Sequence, residues 1–173
     1  MDKESYGFHY SNFGYAVLGL VLEAVYDTDY PMLVNDFVQN ELGLKNTKIS
    51  EKDGDLGDYW DWKYDDAYLS AGAITSNITD MLAYAQMQLE NNPYFAECHK
   101  STKQINATSA SYASMGIRMD EIGLSWIIDN ENGIVWHNGA TGDYNSYLGF
   151  NIETGTAVVV LSNLSPNYRI PAT

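Results

Sequence analysis

About two thirds of the way along the 173 residues the hydrophobic pattern changes from a helical period to short β-like runs, and that change sets the layering of the fold. Runs at residues 123–128, 133–136, 144–151 and 156–161 are broken by Asn130-Glu131-Asn132-Gly133, by residues 139–143 and by Glu153-Thr154-Gly155. Each break is rich in turn formers, so the runs read as an antiparallel meander. Upstream the period is helical. Phe13, Val17, Leu18, Val21 and Val25 form one stripe, capped by Ser11 or Asn12 and expected to be buried against a sheet. Gly14 and Gly19 weaken that helix unless another element packs close to it. A second helix starts near Pro31 and stops at Gly43. A third, with Ile78, Leu82, Ala85 and Leu89 on one face, is capped by Ser76 or Asn77. Helices first and a meander last describe an α+β fold, with helices packed on an antiparallel sheet, and the length suits a single domain over residues 1–173.

Charge and cysteine usage remove several function classes. With 23 acidic against 9 basic residues the formal charge is −14, which repels phosphate backbones and anionic lipid heads, so nucleic acid and membrane surface are not expected partners. The lone Cys98 forms no intrachain disulfide. Its neighbour His99 is not expected to pair with it, because adjacent side chains on a helix diverge by about 100°. Between residues 50 and 68 acidic and aromatic residues alternate without a period, as expected for a long loop over a site. Asp53, Asp55 and Asp58 have the look of a calcium loop, but the required Gly and closing Glu do not follow. Zinc spacings are absent, so no metal or cofactor is expected. The loop's Trp60, Trp62 and tyrosines could stack on a sugar, although anchoring the loop to the domain is the commoner use.

Two polar motifs remain: Tyr10-Ser11-Asn12 ahead of the first helix and His137-Asn138-Gly139 late in the chain. Tyr-x-Asn alone carries little information, since a chain with this composition contains about one by chance. Tyr10 and Asn12 taken alone read as a phenol and a helix cap, and His137 after Trp136 as a satisfied sheet histidine. Context changes that reading. The first motif lies in Phe8-x-Tyr10-Ser11-Asn12-x-Gly14-Tyr15, followed by Leu18-Gly19 and Asn40-Glu41-Leu42-Gly43-Leu44. The second lies in Trp136-His137-Asn138-Gly139-Ala140-Thr141-Gly142, followed by a strand and Val158-Val159-Val160-Leu161-Ser162-Asn163. Between them stand Ser70-Ala71-Gly72-Ala73-Ile74-Thr75-Ser76 and Asp80. In this order the chain resembles the C-terminal part of a serine hydrolase of the beta-lactamase and penicillin-binding-protein superfamily, in its class C, D-Ala-D-Ala carboxypeptidase and esterase-like branch.

The resemblance implies a partial beta-lactamase/transpeptidase-like fold and a cleft in which a serine attacks a peptide, lactam or ester carbonyl to form an acyl-enzyme. It implies Tyr10 as proton shuttle, Asn12 as a contact to the substrate carbonyl, and the backbone N–H of Ala140 as an oxyanion donor. It implies substrate binding by His137, Asn138 and Gly139, where many members carry Lys-Thr-Gly. A phenol shuttles protons near neutral pH only beside a stabilising cation, which the family supplies from Ser-x-x-Lys. None of the seven lysines here follows a serine at that spacing. The expectation is therefore a C-terminal fragment, inactive alone, whose nucleophile lies in a missing N-terminal segment. A homo-oligomer covering the exposed sheet edge is also expected, with a small-molecule or peptide substrate and, by resemblance, an extracytoplasmic or cell-envelope location. The alternative is a non-catalytic module that binds a peptide or glycan through Asn12, His137 and the aromatic loop.

Overall fold

The computed structural model describes residues 7–50, 62–90 and 92–164, arranged as helices followed by a six-stranded antiparallel sheet. The α+β expectation holds. Two compact units divide the chain: Ser11–Tyr84, and Met1–Tyr10 with Ala85–Thr173.

The Ser11–Tyr84 unit is helical. Helix α1 (Asn12–Tyr26) starts at Ser11, whose hydroxyl accepts from the Gly14 N–H at 3.0 Å. It packs on α2 (Tyr30–Asp36), which runs on into a π-helical turn (Phe37–Glu41), and on the short α3 (Leu69–Gly72). The expected apolar stripe is not the buried one. Phe13, Val17, Leu18, Val21 and Val25 are exposed, whereas Ala16 and Gly19 are buried. The reason is local: Ser70 of α3 lies where a Cβ on Gly19 would stand, and its hydroxyl donates to the Tyr15 carbonyl at 2.8 Å. Small residues therefore make the contact, and within its unit α1 rests on helices rather than on a sheet. Trp62 packs on the core of Ile49, Leu69 and Ala73, which is the anchoring use of the loop's aromatics. Asp53, Asp55, Asp58 and Trp60 lie outside the described residues. Asp80, near the start of α4 (Ile78–Leu89), is buried and accepts from the Asn46 N–H at 2.8 Å and the Thr47 hydroxyl at 2.9 Å. Burial alone would raise its pKa, but the side-chain and backbone hydrogen bonds of Asn46 and Thr47 outweigh burial and hold it below the ordinary value. Asn77 caps α4, accepting from the Asp80 N–H at 2.9 Å.

The other unit is built on the sheet. Its strands follow chain order: β1 (Lys103–Gln104), β2 (Glu121–Ile122), β3 (Ile127–Asp129), β4 (Ile134–Ala140), β5 (Asn145–Asn151) and β6 (Thr156–Ser162). A short helix, α5 (Ala110–Ser114), separates β1 from β2. The last three strands form the long ladders, and among the described residues β6 is the outer strand, paired with β5 alone. Residues 123–128 do not form the single run expected from their apolar content. Gly123 and Leu124 are turned against the Cys98 carbonyl, which accepts from the Leu124 N–H at 2.9 Å, and Ser125 adopts a φ of 72°. Strand β4 reaches further than expected and carries the whole His137-Asn138-Gly139-Ala140 segment.

Candidate active site

The sheet unit brings together two of the residues selected from the sequence: the Tyr10 ring lies 6.4 Å from the His137 ring, centroid to centroid, tilted by 34°. They are separated by more than a hundred residues, so only the fold makes them neighbours. Asn12 opens α1 in the helical unit, where Ser11 rather than Asn12 serves as the cap.

Strand β4 presents the late motif through its register. Cross-strand partners share a face of the sheet, so the pairs His137↔Leu148 and Gly139↔Ser146 place His137, Gly139, Ser146 and Leu148 on one face. Trp136 and Asn138, paired with Gly149 and Tyr147, belong to the opposite face. There Trp136 packs with Ile117 and Ile127 and stacks on Tyr147 at 6.0 Å.

The edge of β4 is equally asymmetric. On one side β5 pairs along the strand as far as Ala140, whereas on the other side the β3 ladder reaches only Trp136. Beyond the hairpin end the Thr141 N–H donates to the Tyr144 carbonyl at 2.9 Å. Successive N–H groups on a strand point to opposite edges, so the Ala140 N–H points away from β5, toward the edge that β3 leaves open. Asn138 shares that edge, and its carbonyl accepts from the His137 ring at Nδ1, 2.6 Å away. A carbonyl can only accept, so the proton sits on Nδ1, and Nε2 holds the lone pair.

Burial pushes the His137 pKa below its ordinary value, and the bond to the Asn138 carbonyl only partly offsets this. Strands β4 and β5 contain no lysine or arginine. This stretch of the sheet therefore offers an open backbone edge, a neutral imidazole and no permanent cation.

Sequence reasoning passed over Ser146. Its Oγ lies 2.7 Å from where a Cβ on Gly139 would be, so the hydroxyl stands directly over the motif glycine. Its position depends on the β4–β5 register, which no short motif reveals. His99 is a different case: Nε2 contacts Gln88 Oε1 at 2.7 Å, and the ring meets Phe150 and Trp126 edge-on at 4.9 and 6.1 Å. Cys98 points its sulfur toward the Tyr94 carbonyl at 3.9 Å, so the adjacent pair forms no dyad. Among the described residues no His, Cys, Asp and Glu side chains group as metal ligands.

Comparison with known proteins places the chain in a family and shows its fold. The family described as Beta-lactamase matches residues 4–172. Protein flp of Staphylococcus aureus (strain MW2) is 24% identical over 179 residues, covering 93% of this chain and 34% of that protein. The octameric penicillin-binding protein homologue from Pyrococcus abyssi superposes with a TM-score of 0.74 at 21% identity, over 97% of this chain and 41% of that one. A beta-lactamase/D-alanine carboxypeptidase from Yersinia pestis gives a TM-score of 0.65 at 20% identity, over 91% of this chain and 49% of that one. The chain thus spans between a third and a half of the length of these proteins.

Proposed function

Because this chain belongs to the beta-lactamase family, we propose that it forms one wall of a serine-hydrolase site whose nucleophile is not among its 173 residues. The observation that carries this reading is the approach of Tyr10 to His137 beside the open edge of β4. In the proposed site the Tyr10 phenol relays a proton to the leaving group; the role of Asn12 as a contact to the substrate carbonyl rests on the family resemblance alone. The Ala140 N–H donates to the developing oxyanion; one such donor is worth about 3 kcal/mol of transition-state stabilisation once a nucleophile is present. Gly139 lets the acyl group lie against the strand, with His137 and Asn138 flanking it. A wall without nucleophile or cation does not turn over an ester, amide or lactam by itself.

The test is incubation of the chain with nitrocefin, with p-nitrophenyl acetate and with a β-lactam label read by intact-protein mass spectrometry. The expected result is no turnover and no mass increase. A stable acyl adduct on any residue would contradict the proposal. The non-catalytic glycan-binding alternative is weakened by Trp62, which spends its indole on the core of its own unit.

Two surfaces support self-association as part of the proposal. One is the outer edge of β6, which is free of charge, and the other is the exposed apolar side of α1. An unguarded edge strand is a template for further pairing. Because each copy carries −14, association is expected to strengthen as salt is added, and a sedimentation coefficient independent of salt and concentration would count against it. A cell-envelope setting fits the family; among the described residues no helix is long and apolar enough to cross a membrane.

A further inference from the structure

The feature left without a role is the hydroxyl of Ser146. It occupies the space over Gly139, on the same face as His137, is half-buried, and has no hydrogen-bond partner among the described residues. A hydroxyl can donate one hydrogen bond and accept others, so a ligand crossing Gly139 meets an uncommitted polar group there. Leu148, the next residue on that face of β5, is apolar and buried. Ser146 is thus the polar group that β5 contributes beside the motif.

We infer that Ser146 is a specificity residue: its hydroxyl hydrogen-bonds an uncharged amide or ester group of a ligand lying over Gly139, and this part of the site selects such groups over a free carboxylate. The inference rests on the site reading given above and adds the chemical class of the group bound. Three observations support it. Neither β4 nor β5 carries a lysine or arginine, so a carboxylate placed here would lose hydration without gaining a counter-ion from either strand. The nearest imidazole already donates its Nδ1 proton to Asn138, which leaves a lone pair that repels a carboxylate and accepts from an amide N–H. The Ser146 hydroxyl can serve either end of an amide, donating to its oxygen or accepting from its nitrogen.

The experiment compares N-acetyl-D-alaninamide with N-acetyl-D-alanine, a pair of nearly equal size that differ in charge. Each is titrated into the ¹⁵N-labelled full chain while the backbone amides of His137, Asn138, Gly139 and Ala140 are followed. The amide is expected to bind more tightly than the acid. Ser146→Ala is expected to weaken the amide by about three- to tenfold, the effect of losing one hydrogen bond, and to leave the acid unchanged. Ser146→Thr, which keeps the hydroxyl, should restore binding of the amide, and equal melting temperatures of the variants establish that the fold is intact. Binding at these amides that ignores Ser146→Ala, or that favours the acid, overturns the inference and leaves the site reading standing. Failure of both probes to move any of the four amides overturns the two together.

Discussion

Two histidines rest against the same face of the sheet and differ in what satisfies them. His99 bonds Gln88, a fully buried side chain from α4, and its ring is held between Trp126 and Phe150, themselves in edge-on contact at 5.1 Å. His137 bonds the carbonyl of the next residue on its own strand and faces an exposed Tyr10. In both, burial pushes the pKa below the ordinary 6.5. The difference lies in commitment: one ring joins separate elements of the core, whereas the other is satisfied locally and keeps Nε2 for something outside the strand. A depressed imidazole pKa alone therefore does not distinguish a structural histidine from one in a site.

The largest expected effect is on stability. His99→Ala removes the ring between Trp126 and Phe150 and leaves the buried Gln88 amide without its partner, so it should cost about 2–3 kcal/mol in urea denaturation. His137→Ala should cost less than about 1 kcal/mol by the same measurement. Equal losses would break the comparison.

Acid sharpens it. With folded pKa values below 6.5, the unfolded chain binds more protons than the folded one as pH falls through 6.5. The histidine contribution is therefore fully present above that pH and is lost progressively below it, toward the lowered folded values. His99→Gln, although less stable at pH 7, should show a shallower decline between pH 7 and 5 than the parent chain. Parallel declines would mean that His99 does not carry the linkage.

The smallest expected effect concerns Gly139. A methyl there must displace the Ser146 hydroxyl, a movable group, so Gly139→Ala should cost about 1 kcal/mol or less, and Ser146→Gly should relieve most of that cost. Additive losses in the double variant would place the strain elsewhere.

Much of the architecture was legible in the sequence because local chemistry and tertiary packing agree there. Ser11 and Asn77 cap helices of clear period, and Gly133 and Gly155, both at positive φ, punctuate the long strands. Legibility failed where packing overrides pattern. The stripe of α1 stays exposed because Ser70 fits against Gly19, and Leu124 and Trp126 suggested a strand where Ser125 turns the chain. The two-residue strands β1 and β2 are too short to carry a period. Of the candidate site, the motif residues could be named from their order, and the resemblance implied that they meet in one cleft; the structure brings Tyr10 to His137. Ser146 was invisible because a register, not a spacing, sets it opposite Gly139.

The neutrality of the β4 wall is tested most directly by long-range ¹H–¹⁵N NMR of the His137 ring at pH 7. The geometry predicts a neutral ring protonated at Nδ1, with an unprotonated Nε2. A charged imidazolium, or a ring protonated at Nε2 alone, would contradict it.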